Sequence, residues 1–177
     1  AFETTFEKEV YSDLTGERCV LMGLIQGAFL AQYNVLRENG HSPSEAYNET
    51  VEEALNSLYP LINENGMEHM FRNCSTTAQR GALDYSKKFE ELLTPAIQEC
   101  YENVEEKKEL LNVLNCNKDE NYEEKLHNEL NDLSKEEIWD VQNQLLKLNK
   151  SLVDENQKSS LDENQNSLVD QTKNNNS

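Results

Sequence analysis

The fold turns on the reading of Ser12-Asp13-Leu14-Thr15-Gly16-Glu17-Arg18-Cys19-Val20-Leu21-Met22-Gly23-Leu24-Ile25-Gln26-Gly27-Ala28-Phe29-Leu30-Ala31-Gln32-Tyr33. Its apolar residues recur at spacings of three and four, the period of a helix face. Extended outward, the pattern predicts one long helix from about Phe6 to Asn39, stopped at Gly40 and buried over much of its circumference around Cys19 to Ala31. Gly16, Gly23 and Gly27 each cost such a helix about 1 kcal/mol relative to Ala, so they point to close approach of another backbone or a ligand. On the same helix Asp13 and Glu17 stand four residues apart. Both carboxylates then project from one face and can grip one hard cation, although a plain solvated acidic face has the same spacing.

Ser42-Pro43-Ser44-Glu45 carries a cap, a proline for the first helical position and a glutamate to close a capping box, so a second helix starts there. It should bend near Pro60 and stop near Gly66, with a short helical turn around Met67 to Phe71. On it Glu49 and Glu53 repeat the spacing of Asp13 and Glu17. Four carboxylates in two such pairs could hold two divalent cations, and Mg²⁺ suits an all-oxygen, octahedral set that tolerates water and substrate oxygens. His41, His69 and His127 are isolated and lack zinc-like spacing.

Cys74-Ser75-Thr76-Thr77 precedes Ala78 to Leu83 and puts a hydroxyl at a helix N-terminus, suited either to an ordinary cap or to an anionic ligand group. A further helix follows beyond Gly81, bent or interrupted at Pro95. Glu105-Glu106-Lys107-Lys108 reads as a charged connector. Beyond it Tyr122, Leu126, Leu130 and Leu133 share one stripe, and Ser134-Lys135-Glu136-Glu137 reads as the capping box of a last amphipathic helix. The expected organisation is a helical core over 1–104, a helical extension over 105–149, and a disordered tail over 150–177, where near-repeats such as Ser160-Leu161-Asp162-Glu163-Asn164-Gln165 are too polar to pack.

A net charge of −18 argues against nucleic acid and anionic membranes as partners, because both are held by clustered Lys and Arg. The most apolar run, Val20 to Ala31, is short of the roughly 20 residues of a membrane span. Cys19, Cys74, Cys100 and Cys116 are scattered, so free thiols are expected.

Ser12-Asp13-Leu14-Thr15-Gly16-Glu17-Arg18, Leu30-Ala31-Gln32-Tyr33, Arg37-Glu38-Asn39-Gly40-His41-Ser42-Pro43, Asn48-Glu49-Thr50-Val51-Glu52-Glu53 and Cys74-Ser75-Thr76-Thr77-Ala78 closely resemble the C-terminal domain of ketol-acid reductoisomerase, in its fungal mitochondrial form. The likeness is dense from Phe2 to Tyr101 and faint again at Glu136-Glu137-Ile138-Trp139. It implies an all-α, knotted domain and an enzyme of valine and isoleucine biosynthesis. Asp13 and Glu17 match the family's first Mg²⁺-binding pair, Glu49 and Glu53 its second, and Ser75 the residue that contacts the substrate carboxylate. Glu53, held near two Mg²⁺ ions, could take part in proton transfer.

The resemblance further implies a homodimer or higher oligomer with the active site shared between subunits, 2-acetolactate or 2-aceto-2-hydroxybutyrate as substrate, and NADPH as reductant. The chain contains no GxGxxG turn, so NADPH would be bound by an N-terminal domain preceding Ala1. The transit peptide of a mitochondrial protein would lie there too, with plastid or cytoplasm as alternatives. Gln26 and Gln142 depart from the family pattern, which there has His and Gly. A non-catalytic dimerisation or regulatory module derived from the enzyme is the competing reading.

Overall fold

The computed structural model describes residues 3–148, and every regular element among them is helical. The disordered tail expected over 150–177 lies outside the described residues. Compactness divides the chain after Leu133, so the helices up to that residue form one unit and the last helix stands in a second.

The predicted first helix is two helices. α1 (Phe6–Gly16) is capped by Thr5, passes into a wide π-helical turn over Glu17–Leu21, and gives way to α2 (Gly23–Glu38). The helical path breaks at Cys19, with φ −94° and ψ −116°, and at Met22, with φ −135° and ψ −63°. Gly23 makes this break possible: a Cβ there would lie 2.1 Å from the Arg18 carbonyl oxygen. The close approach that the glycines announced is therefore backbone on backbone at Gly23, whereas Gly27 has open space around it.

Burial also departs from expectation. Cys19 is buried, but Val20, Leu21 and Met22 are each more than half exposed, because the break turns them off the face that α2 packs against its neighbours. Phe6–Glu38 contains an 18-residue window with mean hydropathy 1.5, apolar and long enough to cross a membrane by length and composition alone, contrary to the reading that no run approached that length. Tyr33 is buried, and the Gln32 side chain donates to the Glu49 carbonyl at 2.8 Å, which ties this helix to the backbone beside Glu49. A broken backbone at Cys19–Met22 also suits lipid poorly, since lipid offers nothing to satisfy freed peptide groups.

α2 ends before Gly40, which takes φ +90°. α3 (Pro43–Tyr47) begins with the expected capping box: Ser42 accepts from the Glu45 N–H at 3.3 Å, and Glu45 accepts from the Ser42 N–H at 2.8 Å. Two π-helical segments, Asn48–Glu52 and Ala54–Leu58, carry the chain into α4 (Tyr59–Asn65), with Pro60 in its first turn and Gly66 ending it at φ +88°. α5 (Met67–Arg72) is the expected short turn. Ala46, Tyr47, Thr50 and Val51 are buried, and with Tyr33 they form the centre where α2 meets α3 and the turns after it.

α6 (Thr76–Glu105) is one continuous 30-residue helix, where the sequence suggested a further helix beyond Gly81 that bends or breaks at Pro95. Neither Gly81 nor Pro95 ends it. The proline lacks an N–H to donate, and beside it the Thr94 hydroxyl donates to the Glu90 carbonyl at 2.7 Å. α1 packs along α6, with Tyr11 and Tyr101 edge to face at 6.3 Å.

The charged connector is a tight turn with Lys107 at φ +61°, followed by a helix the sequence reading missed, α7 (Lys108–Cys116). α8 (Tyr122–Leu133) follows, with Leu126, Leu130 and Leu133 exposed. In the second unit α9 covers residues 137–148; Ile138 and Val141 are buried. Its first helical bonds run to the Glu136 carbonyl, so it starts two residues after the position that Ser134 would cap.

Candidate metal and substrate site

Asp13 lies in the last turn of α1 and Glu17 opens the π turn. The Glu17 N–H donates to the Asp13 and Leu14 carbonyls, so the backbone between the two acids is still helical and holds both on one face. Both side chains are exposed, and among the described residues neither carboxylate takes part in a hydrogen bond or ion pair. Their oxygens are therefore free to bind a cation. The neighbouring cation, Arg18, is turned away: Nε donates to Glu109 at 3.0 Å and Nη1 to the Leu14 carbonyl at 3.0 Å.

The second pair is organised differently. Glu49 lies in the Asn48–Glu52 turn and Glu53 directly after it. Asn48 donates from one amide nitrogen to both, at 3.3 Å to Glu49 and 3.0 Å to Glu53. One neutral donor thus holds two like charges together without neutralising either. Gln32 fixes the same turn from α2 through the Glu49 carbonyl. The sequence reading missed both residues, although each stood inside a quoted motif, because an amide in a helix announces no partner.

Both acidic turns are π-helical, a rare geometry concentrated at functional sites. Among the described residues two buried hydroxyl oxygens lack a hydrogen-bond partner, Thr15 Oγ1 in the last turn of α1 between Asp13 and Glu17, and Thr50 Oγ1 in the turn that carries Glu49. Leaving such a group unpaired costs about 1–3 kcal/mol, so local stability is spent at the two places that hold the acids.

Ser75 caps α6, its Oγ accepting from the Ala78 N–H at 3.2 Å. The cap occupies one lone pair and leaves the exposed hydroxyl proton available to an anion at the N-terminus of a long helix.

Among the described residues no three His, Cys, Asp or Glu side chains come close enough to share a metal ion. Asp13 and Glu17 are thus not brought to Glu49 and Glu53 within one chain. An open groove of about 560 Å³ between α5 and α6, lined by Met67, Phe71, Leu83, Tyr85 and Phe89 among others, contains none of the four acids.

Comparison with known proteins identifies the family. The family model for the ketol-acid reductoisomerase C-terminal domain matches residues 6–151. The chain is 57% identical over 138 residues to a ketol-acid reductoisomerase (NAD(+)) of Desulfosudis oleivorans, covering 78% of this chain and 39% of that protein. It is 54% identical over 157 residues to the mitochondrial ketol-acid reductoisomerase of Neurospora crassa, covering 89% and 38%, and 55% identical over 147 residues to that of Saccharomyces cerevisiae, covering 83% and 37%. The chain therefore spans about two-fifths of the length of these relatives. A solved NADH-preferring ketol-acid reductoisomerase from an uncultured archean superposes with a TM-score of 0.72 at 25% identity, covering 83% of this chain and 44% of that one. Sequence and fold together show that the chain belongs to the ketol-acid reductoisomerase family and has the all-helical fold of its C-terminal domain.

Proposed function

We propose that this chain is the metal-binding domain of a Mg²⁺-dependent ketol-acid reductoisomerase that converts 2-acetolactate or 2-aceto-2-hydroxybutyrate to dihydroxy acids. The observation that carries the proposal is the two acidic pairs, each with one member in a π-helical turn: Asp13 at the end of α1 with Glu17, unengaged, and Glu49 with Glu53 just after its turn, held by a neutral amide. Oxygen donors without a thiol or imidazole among them suit Mg²⁺.

Each half of the site holds two acids, and a second copy of the chain would bring the other half. Exposed Val20, Leu21 and Met22 beside the first pair, and the apolar groove along α6, are surfaces such a copy could cover. Bound Mg²⁺ would supply Lewis-acid stabilisation of the negative charge that develops on substrate oxygen during alkyl migration. Asp13, Glu17 and Glu49 would orient the substrate through the ions they hold. The carboxylate of Glu53 would take or return the hydroxyl proton, with the Asn48 amide fixing its position. Ser75 would donate its hydroxyl to the substrate carboxylate at the positive end of α6.

Reduction of the rearranged ketone calls for a nicotinamide cofactor, which on this reading is NADPH bound by another domain. The chain itself carries no dinucleotide fingerprint. The mitochondrial names of the Neurospora crassa and Saccharomyces cerevisiae relatives support a mitochondrial setting.

Calorimetric titration with Mg²⁺ tests the metal-binding reading. Saturable binding to the wild-type chain, lost in both Asp13→Ala and Glu49→Ala, is the expected result; equal heats in all three proteins would reduce the acids to a solvated surface.

A further inference from the structure

The helix break that positions Glu17 also brings together two cysteines far apart in sequence. Cys19 is 8% exposed and carries the non-helical backbone of the break, while Cys100 lies half-buried on α6. The π turn that carries Cys19 packs against α6, which carries Cys100, and Cys19 is among the groups that act on the Cys100 thiol. Contacts on both sides fix the register of that meeting. Tyr101, next to Cys100, stacks edge to face on Tyr11 of α1, and Arg18, next to Cys19, is paired with Glu109 of α7 at 3.0 Å. The other two thiols are engaged within their own segments: Cys74 donates to the Met70 carbonyl at 3.4 Å, and Cys116 to Asn112 Oδ1 at 3.9 Å.

We propose that Cys19 and Cys100 form a redox pair, a dithiol that oxidises to an intrachain disulfide stapling the break in the first helix to α6. Neither the metal chemistry nor the substrate contacts proposed above use these thiols, so the inference stands independently of that reading. Burial, followed by the contact with Cys19, pushes the Cys100 thiol up, which lowers its thiolate fraction and slows its attack on a disulfide.

Glutathione disulfide is the class of oxidant that completes the reaction. The sulfur of Cys100, the more exposed of the two, attacks one glutathione sulfur as a thiolate, and the S–S bond of glutathione disulfide breaks to release one glutathione thiolate. The Cys19 thiolate then attacks the Cys100 sulfur of the mixed disulfide and expels the second glutathione. The two protein thiols lose two protons and two electrons, and glutathione disulfide becomes two glutathione thiols. The bridge would lock the turn that begins with Glu17 against α6.

The test is to equilibrate the whole folded chain with glutathione disulfide, alkylate the remaining thiols, and map the peptides by mass spectrometry without reduction. The expected product has lost the mass of two hydrogens, joins the Cys19 peptide to the Cys100 peptide, and leaves Cys74 and Cys116 alkylated. The Cys74→Ser/Cys116→Ser double variant should give the same bridge, and Cys100→Ser should give none. A map showing only glutathione adducts, a bridge to Cys74 or Cys116, or a link between two chains would overturn the proposal. The wild-type map decides the matter even where a serine variant does not fold.

Discussion

Gly23 is the residue on which the local geometry of the first acidic pair depends. A methyl group there would sit 2.1 Å from the Arg18 carbonyl, and the obstacle is backbone, which cannot swing aside. Gly23→Ala should therefore cost on the order of 2–4 kcal/mol, well above the helix-propensity gain of about 1 kcal/mol, as measured by urea unfolding. A stability change inside 1 kcal/mol would show that the break relaxes. Thr50 predicts the opposite sign. Its hydroxyl is buried and unpartnered, so Thr50→Val, which keeps the branched shape, should stabilise the chain by about 1 kcal/mol. Asn48 acts through the acids that it joins. Asn48→Ala should weaken Mg²⁺ binding about 10–100-fold, the usual effect of losing a group that orients metal ligands, with the helix content by circular dichroism unchanged. The acids were legible in the sequence because like charges four apart on a helix are conspicuous; Asn48 was not, because its role exists only once the turn has widened.

At the scale of elements, caps and glycine stops were legible and breaks were not. Ser42 with Glu45, Gly40 and Gly66 all act through local hydrogen bonds or φ values that the residue type alone specifies. The π turns and the break at Cys19 to Met22 depend on tertiary packing, and the apolar period that predicted one helix runs straight through them. The unbroken α6 shows the reverse error. Gly81 and Pro95 disfavour a helix by propensity, yet neither stops this one, and at its start Ser75 caps it. The capping box of α3 gives a pH prediction. Hydrogen bonding from the Ser42 backbone, then from its side chain, holds the Glu45 carboxyl below its ordinary range. A lowered carboxylate adds stability that is full above the unfolded value and is lost as pH falls through the folded one. The stability difference between wild type and Glu45→Ala should thus be present at about pH 7 and fall away as pH drops below the ordinary carboxylate range, read from paired unfolding curves. A difference that persists at low pH would mean that Glu45 acts through packing.

Across the whole molecule, each chain presents its two acidic pairs at separate places. The sequence displayed both acidic pairs, yet composition and spacing could not say whether one fold brings them together. Among the described residues they stay apart, while Val20, Leu21, Met22, Tyr85 and Phe89 remain exposed. We propose that two chains complete one Mg²⁺ site, the first pair coming from one copy and the second from the other. Complementation between variants measures this directly. Asp13→Ala and Glu49→Ala chains, each unable to bind Mg²⁺ alone, are mixed, exchanged into hybrid dimers and titrated by calorimetry. A site built across two copies predicts that the mixture regains saturable Mg²⁺ binding, because each hybrid contains one interface with all four acids intact. Hybrid dimers that form and still bind no Mg²⁺ would contradict it.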